Sequence, residues 1–224
     1  MLAQFLNFLK FTFSARNTLG FRVHSPFVFY FLRYTVYANN SFYIFKEIEK
    51  QRLKLKFNKD IKPRWGKLLF RTAHQFNPEN IVEIGARQGI STAYLAANSS
   101  KSHCITLGKK ATKSEAEELF KNLELNNITY CEEENDFLEK IENLHKIDLL
   151  FISENIISVE KLIKRVFPKF TENTIIIINK QNNKLLYEEI INKQEITVTV
   201  DLFCFNILFM NKDLHKKTYK AIYL

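Results

Sequence analysis

From residue 61 onward, short apolar runs alternate with longer stretches of helical spacing: IVEI at 81–84, HCITL at 103–107, ITYC at 128–131, IDLLFI at 147–152 and TIIIIN at 174–179. Runs this apolar and β-branched suit strands covered on both faces, as a parallel sheet requires. Between them the spacing predicts helices over 91–98, 114–125 and 159–167. Strand alternating with helix predicts an open, doubly wound α/β sheet. The ending differs, because ITVTVDLFCFNILFM offers strand-like runs at 196–201 and 204–210 with too little between them for a crossover helix. That last pair must be antiparallel.

Residues 1–59 have another texture. Aromatic and basic residues dominate, and Phe5, Leu6, Leu9, Phe13 and then Phe27, Phe29, Phe31 and Leu32 recur at mixed helical spacing, which predicts two or three helices. Gly20 and the Ser25-Pro26 pair mark breaks, since proline removes a backbone donor and restricts the residue before it. The charged stretch 46–60 reads as an exposed helix end and loop. The expected organisation is an N-terminal helical cap, residues 1–59, on an α/β domain, residues 60–224.

Composition sharpens this picture. With 46% hydrophobic residues, the 224-residue chain has material for a core, which excludes disorder. Only 5 glycines occur, where average usage of roughly 7% would give about 16, so any glycine pair carries information. The 33 Lys+Arg against 24 Asp+Glu give a formal charge of +9, which permits anionic partners without identifying one. Cys104, Cys131 and Cys204 lie far apart with no CxxC pair, so no disulfide framework or zinc knuckle is indicated and a reducing cytoplasm is expected. The N-terminus lacks the pattern of a signal peptide, and no apolar run is long enough to span a membrane.

One glycine pair stands out. In VEIGARQGISTAYLA, Gly85 and Gly89 sit where the strand at 81–84 gives way to a helix. At such a turn a residue without a side chain lets a ligand approach the backbone, and the free amides of the helix favour a carboxylate or phosphate. Ser91 and Thr92 are placed to cap that helix or to offer hydroxyls to the ligand. The spacing is not GxGxxG, because Ala86 takes the middle position, and no Gly-Lys-Ser/Thr follows. Neither a dinucleotide site nor a P-loop is therefore expected. A tight turn with no ligand is the alternative.

The string EIGARQGIST, after a buried strand and opening a helix, resembles motif I of the class I S-adenosylmethionine (SAM)-dependent methyltransferases. The terminal hairpin resembles the reversed seventh strand of their Rossmann-like sheet. VHSPFVF at 23–29 and DLFCFNILFMNK at 201–212 are similar to a bacterial group of O-methyltransferase-like proteins best represented in Bacteroidetes. The resemblance implies a seven-stranded sheet with an antiparallel last strand, SAM as cofactor, and methyl transfer to a small oxygen or nitrogen acceptor. It makes Glu83 the motif I acid, sets Gly85, Ala86 and Gly89 along the methionine part of SAM, and brings Ser91 and Thr92 near its carboxylate, a group that a helix N-terminus suits. Arg87 either pairs with that carboxylate or points to solvent. Asn135 and Asp136 fall where the family places an adenine-side loop; a solvated turn is the competing reading of 132–136.

The departures from the family pattern carry as much information. After the second strand such enzymes have an acid that accepts hydrogen bonds from both ribose hydroxyls, whereas ITLGKK puts Leu107 or Gly108 there. Losing that charge-assisted pair costs on the order of 1.5–3 kcal/mol. The ends of the fourth and fifth strands, where carboxylates would hold Mg²⁺, read Ser153-Glu154 and Asn179-Lys180, so no metal is expected. Candidate catalytic side chains are Ser153, His24 in the VHSPF segment and His74 before the first strand; His103, His145 and His215 have no ligand-like spacing. If the missing acids have disarmed the pocket, the fold remains as a binding or interaction module. Leu2, Phe5, Leu6, Leu9 and Phe13, with Lys10, Arg16 and Arg22 nearby, suit a helix lying on an anionic membrane surface through residues 1–22. The alternative is a cover helix packed on the domain or across a homodimer. Nucleic-acid binding is not expected, because the basic residues are dispersed and no recognition motif occurs.

Overall fold

The computed structural model describes residues 2–57, 60–154, 156–158, 161–180 and 183–223, with all of their side chains except those of 2–5, 162 and 163. One sheet is formed by β1 Asn80–Ala86, β2 His103–Gly108, β3 Ile128–Cys131, β4 Ile147–Ile152, β5 Phe170–Asn179, β6 Val198–Asp201, β7 Phe205–Phe209 and β8 Lys217–Lys220. Its order is β3-β2-β1-β4-β5-β7-β6-β8. β7 runs against β5 and β6, and every other pairing is parallel. The apolar runs thus predicted both the parallel sheet and its reversed seventh strand. β8 goes beyond the expected seven strands: it pairs parallel with β6 and covers an edge that would otherwise stay open. The pattern hides it because only Tyr219 of KTYK is buried.

The helices are α1 Leu2–Ser14, α2 Pro26–Phe31, α3 Tyr43–Lys54, α4 Pro63–Phe76, α5 Ile90–Ala96, α6 Lys110–Asn122, α7 Glu134–Glu142 and α8 Lys184–Ile191. Successive strand residues divide between the two faces of the sheet. Ile81, Leu149, Phe151 and Ile177 pack with Phe31 and Leu32 of the cap and with Trp65, Leu68 and Leu69 of α4. Val82, Leu150, Ile176 and Ile178 pack with Phe137 of α7 and Ile190 of α8. Phe45, Phe70, Tyr94 and Phe120 join α3, α4, α5 and α6. The N-terminal segment therefore contributes directly to the core beneath the sheet.

α4 is absent from the elements predicted above, because Lys62, Arg64 and Lys67 mask the helical spacing of Trp65, Leu68, Leu69 and Ala73. Pro63 presets its first turn, and Asn77 ends it in a left-handed conformation with φ 46°. Buried Arg71 ties it down, donating from Nε to the Thr35 carbonyl at 2.8 Å and from its guanidinium to the Tyr223 hydroxyl at 3.0 Å. Elsewhere the helix expected over 159–167 is a π-helix at Leu162–Val166 that runs into a 3₁₀ turn at Phe167–Lys169, with 159 and 160 outside the described residues. The stretch 132–136 is no free loop: Asn135 and Asp136 lie in the first turn of α7, where the helix dipole favours acidic side chains.

α1 packs on the domain by the face opposite the expected stripe. Phe8 and Phe11 close on Phe203, with ring centroids 5.1 and 5.2 Å away. Leu6, Leu9 and Phe13 are left exposed, Phe13 by 86%. Leu2 and Phe5, also in that stripe, fall outside the described side chains. No described helix is long and apolar enough to cross a membrane.

Gly66 lets α4 and α5 touch. A Cβ there would lie 2.3 Å from the ring of Tyr94, which its hydroxyl pins to Glu49 at 2.9 Å. Gly66→Ala should therefore lower stability by about 1–3 kcal/mol through overpacking, outweighing the roughly 1 kcal/mol that alanine gains in helix propensity. The check is the urea midpoint; an unchanged or raised midpoint would show that the contact yields.

Candidate active site

The site grows from the turn between β1 and α5. Gly85 has φ +91°, and a Cβ there would meet the backbone of Glu154 at 2.2–2.8 Å. Gly89 caps α5 with φ +84° and faces Phe120, whose ring would lie 2.8 Å from a Cβ. Both conformations favour glycine, and in both cases the space beside it is filled by the chain itself. Ala86 ends β1 and is buried.

Glu83 is fully buried in the middle of β1. Its carboxyl accepts hydrogen bonds from Ser91 Oγ and Thr92 Oγ1, both at 2.5 Å, and from Thr106 Oγ1 at 3.2 Å. The Ser91 and Thr92 hydroxyls thus point inward to Glu83, away from any ligand at the turn. Burial pushes the Glu83 pKa from an ordinary 4.5 up to about 7, against the three hydroxyl donors that lower it; the nearby charge of Asp60 adds to the rise.

Asp60 is a site residue that sequence reading passed over. Its Oδ2 accepts from the Ile90 amide at 3.1 Å, and its Oδ1 accepts from the Ile61 amide at 2.6 Å. The first amide of α5 is therefore satisfied by a carboxylate that comes from the far end of a loop, a contact with no local sequence signature. Burial raises the Asp60 pKa, while these two amides and then Arg52 and Arg87 oppose the rise.

Asp60 opens onto a cavity of about 280 Å³ at the carboxyl ends of β1, β4 and β5. Lys62, Arg64 and Trp65 of the α4 entry wall one side, and Arg87, Ser153 and Asn179 lie across from them. Trp65 stacks on Phe205 at 4.4 Å, and Cys204, its thiol pKa raised by burial, completes that wall. Above the glycine turn, Glu154 pairs with Arg87 at 3.7 Å and with Lys109 at 3.5 Å, which straps the β4 loop over Gly85. Arg87 thus lines the cavity and takes part in the strap.

The remaining expected residues separate. Gly108 ends β2, where a Cβ would meet the Tyr130 hydroxyl at 2.0 Å and the Ala86 carbonyl at 2.7 Å. Tyr130 thus fills the space where the ribose-binding acid was expected. Asn135 and Asp136 do not line the cavity, and Asp136 is instead paired with Lys140 at 2.9 Å. His24 is exposed and stands outside the cavity lining, since the VHSPF segment turns there to let Ser25 cap α2. His74 lies near the C-terminal end of α4, away from the cavity, and stacks on Phe70. Of the candidate catalytic side chains only Ser153 reaches the cavity. Among the described residues no three His, Cys, Asp or Glu side chains converge as metal ligands.

No protein-family model matches the sequence, and curated proteins yield no significant sequence relative. Solved structures do resemble the fold. An O-methyltransferase from Bacillus cereus in complex with SAH aligns with a TM-score of 0.60 at 19% identity, over 79% of this chain and 94% of its own. The O-methyltransferase TomG from Streptomyces achromogenes, in complex with SAM, aligns at 0.60 and 12% identity over 76% and 91%. The SAH-bound methyltransferase PaMTH1 from Podospora anserina aligns at 0.60 and 15% over 78% and 90%. The fold is that of the class I methyltransferases. In this methyltransferase fold the turn after β1, the end of β4 and the entry of α4 converge on a single cavity, so the glycine motif and the charged segment before α4 belong to one site.

A carboxyl whose native pKa lies above its unfolded 4.5 keeps its proton in the folded chain while the unfolded chain loses it. The Glu83 contribution is thus present below pH 4.5 and is lost as pH rises to about 7. Glutamine has no proton to lose. The stability of Glu83→Gln relative to wild type should therefore rise by on the order of 2–3 kcal/mol between about pH 5 and about pH 8. Urea unfolding across that range measures it, and a pH-independent difference would contradict a raised Glu83 pKa.

Proposed function

We propose that the protein is a SAM-dependent methyltransferase acting on a small oxygen or nitrogen acceptor without a metal ion. The observation that carries this reading is the pairing of Asp60 with Arg87, Lys62 and Arg64 around one cavity, beside the glycine turn of a methyltransferase fold. The amino-acid end of SAM is a zwitterion, and a carboxylate facing cations is its complement. Trp65, stacked on Phe205 and already carrying the Arg64 guanidinium over its ring at 5.1 Å, adds an aromatic wall beside these groups. When bound, SAM supplies an already activated methyl group, so the chain's task is mainly to position donor and acceptor. Ser153 and Asn179 end β4 and β5 without carboxylates, which supports the metal-free part of the reading.

The adenosine end is less well provided for. Gly108 has no ribose acceptor, and the cavity's 280 Å³ falls just below the lower end of the roughly 300–1,000 Å³ typical of small-molecule sites. Glu154 straps Arg87 of the cavity wall over the glycine turn. Its ion pairs are partly exposed and contribute at most about 1 kcal/mol. Titration calorimetry with SAH tests the proposal: wild type should bind saturably, Glu154→Ala should bind up to about fivefold more tightly, and Gly85→Arg should not bind. Absence of heat from wild type at millimolar SAH would overturn it and leave a methyltransferase fold used for binding alone.

A further inference from the structure

A second cavity, about 710 Å³ in volume, lies between α1 and the carboxyl ends of β5, β6 and β8. Its volume is well within the range of small-molecule sites. Lys10, Lys180, Lys184 and Lys220 surround it, with Asp201 as the only carboxylate among the described residues that line it, and Phe11 and Phe203 form apolar walls. Asp201 does not balance this charge. It is buried, its Oδ1 accepts from the Phe203 amide at 2.9 Å, and its Oδ2 faces Lys180 at 3.5 Å. Lys180 also sits over the Tyr187 ring at 4.8 Å. Lys184 has only Glu188, one helical turn along at 4.0 Å and well exposed. Lys10 and Lys220 pair with no carboxylate among the described residues.

Ammonium groups gathered around one concavity repel one another unless a counter-ion enters. Phe203 reaches the cavity from the short turn between β6 and β7, where it takes φ +73°. Its neighbour Cys204 lines the first cavity, and Lys180 likewise follows Asn179 of that cavity. The two cavities therefore adjoin along the same strand ends.

We propose that this second cavity binds an anionic group, phosphate or carboxylate, carried on an apolar body, with Lys10, Lys184 and Lys220 holding the anion and Phe11 and Phe203 the body. Because the two cavities adjoin, a ligand held here would be placed as a methyl acceptor, an assignment that rests on the methyltransferase reading; the binding site itself does not. The anion arrives either on a soluble molecule or as a lipid headgroup, the latter favoured by the exposed Leu6, Leu9 and Phe13 on the outer face of α1. Phenyl phosphate, with benzyl alcohol as neutral control, probes the first source. Sedimentation with phosphatidylglycerol vesicles, against phosphatidylcholine vesicles, probes the second.

Saturable phenyl phosphate binding that weakens at least tenfold in Lys10→Gln/Lys220→Gln, with benzyl alcohol silent, supports the site and a soluble ligand. Phenyl phosphate silence with phosphatidylglycerol binding lost in the same variant supports the site and a lipid headgroup. Neither probe binding, or binding equal in wild type and variant, overturns the proposal. Lys10→Gln alone, at an exposed helical position, serves if the double variant fails to fold by circular dichroism. SAH titration of the same proteins reports on the first cavity, so failure of this site and failure of the methyltransferase reading give different results.

Discussion

The carboxyl of Glu83 is the joint on which the rest of the site depends. A buried carboxyl is costly unless its oxygens are satisfied, and here hydroxyls reach it from both α5 and β2. Ser91 and Thr92 are adjacent, and two neighbouring side chains bonding one carboxyl allow α5 a single rotation about its axis. That rotation aims the Ile90 amide at Asp60 and turns Gly89 against α6. The charged segment before α4 is thereby tied to the motif I turn, and the mouth of the first cavity follows from the tie.

Fold and site were legible in the sequence to different degrees, for physical reasons. Strands buried on both faces must be apolar throughout, so IDLLFI and TIIIIN declare themselves. A strand such as β8, with one buried residue, does not. The period of α4 is masked, because its cations lie on the same turns as its core residues. Glu83, Gly85, Gly89, Ser91 and Thr92 could be found from their spacing along one strand and one turn. What they bond to could not, because a hydroxyl within reach of both a ligand and a buried acid has no sequence mark that says which it takes. Asp60 was least visible of all, since its partner Ile90 lies 30 positions away and offers only a backbone amide.

Charge is also distributed unevenly along the chain. No aspartate or glutamate precedes Glu47, whereas Lys10, Arg16, Arg22, Arg33 and Lys46 do. The same stretch holds Phe13, Leu19, Phe21, Tyr30 and Tyr34, all exposed. α1 has two sides of different character, an inner one seated on Phe203 and an outer one that leaves Leu6, Leu9 and Phe13 exposed.

Gly108 bears on how such a pocket changes over evolutionary time. With Tyr130 seated 2.0 Å from where its Cβ would be, an acid arriving at this position alone meets a clash, and a smaller residue replacing Tyr130 alone leaves a hole and strips a partner from the Lys109 carbonyl and the Thr112 hydroxyl. Each single step is unfavourable, and only the pair of changes is compatible. Residues 108 and 130 are therefore sterically coupled, and an acid at 108 requires a smaller residue at 130 in the same step.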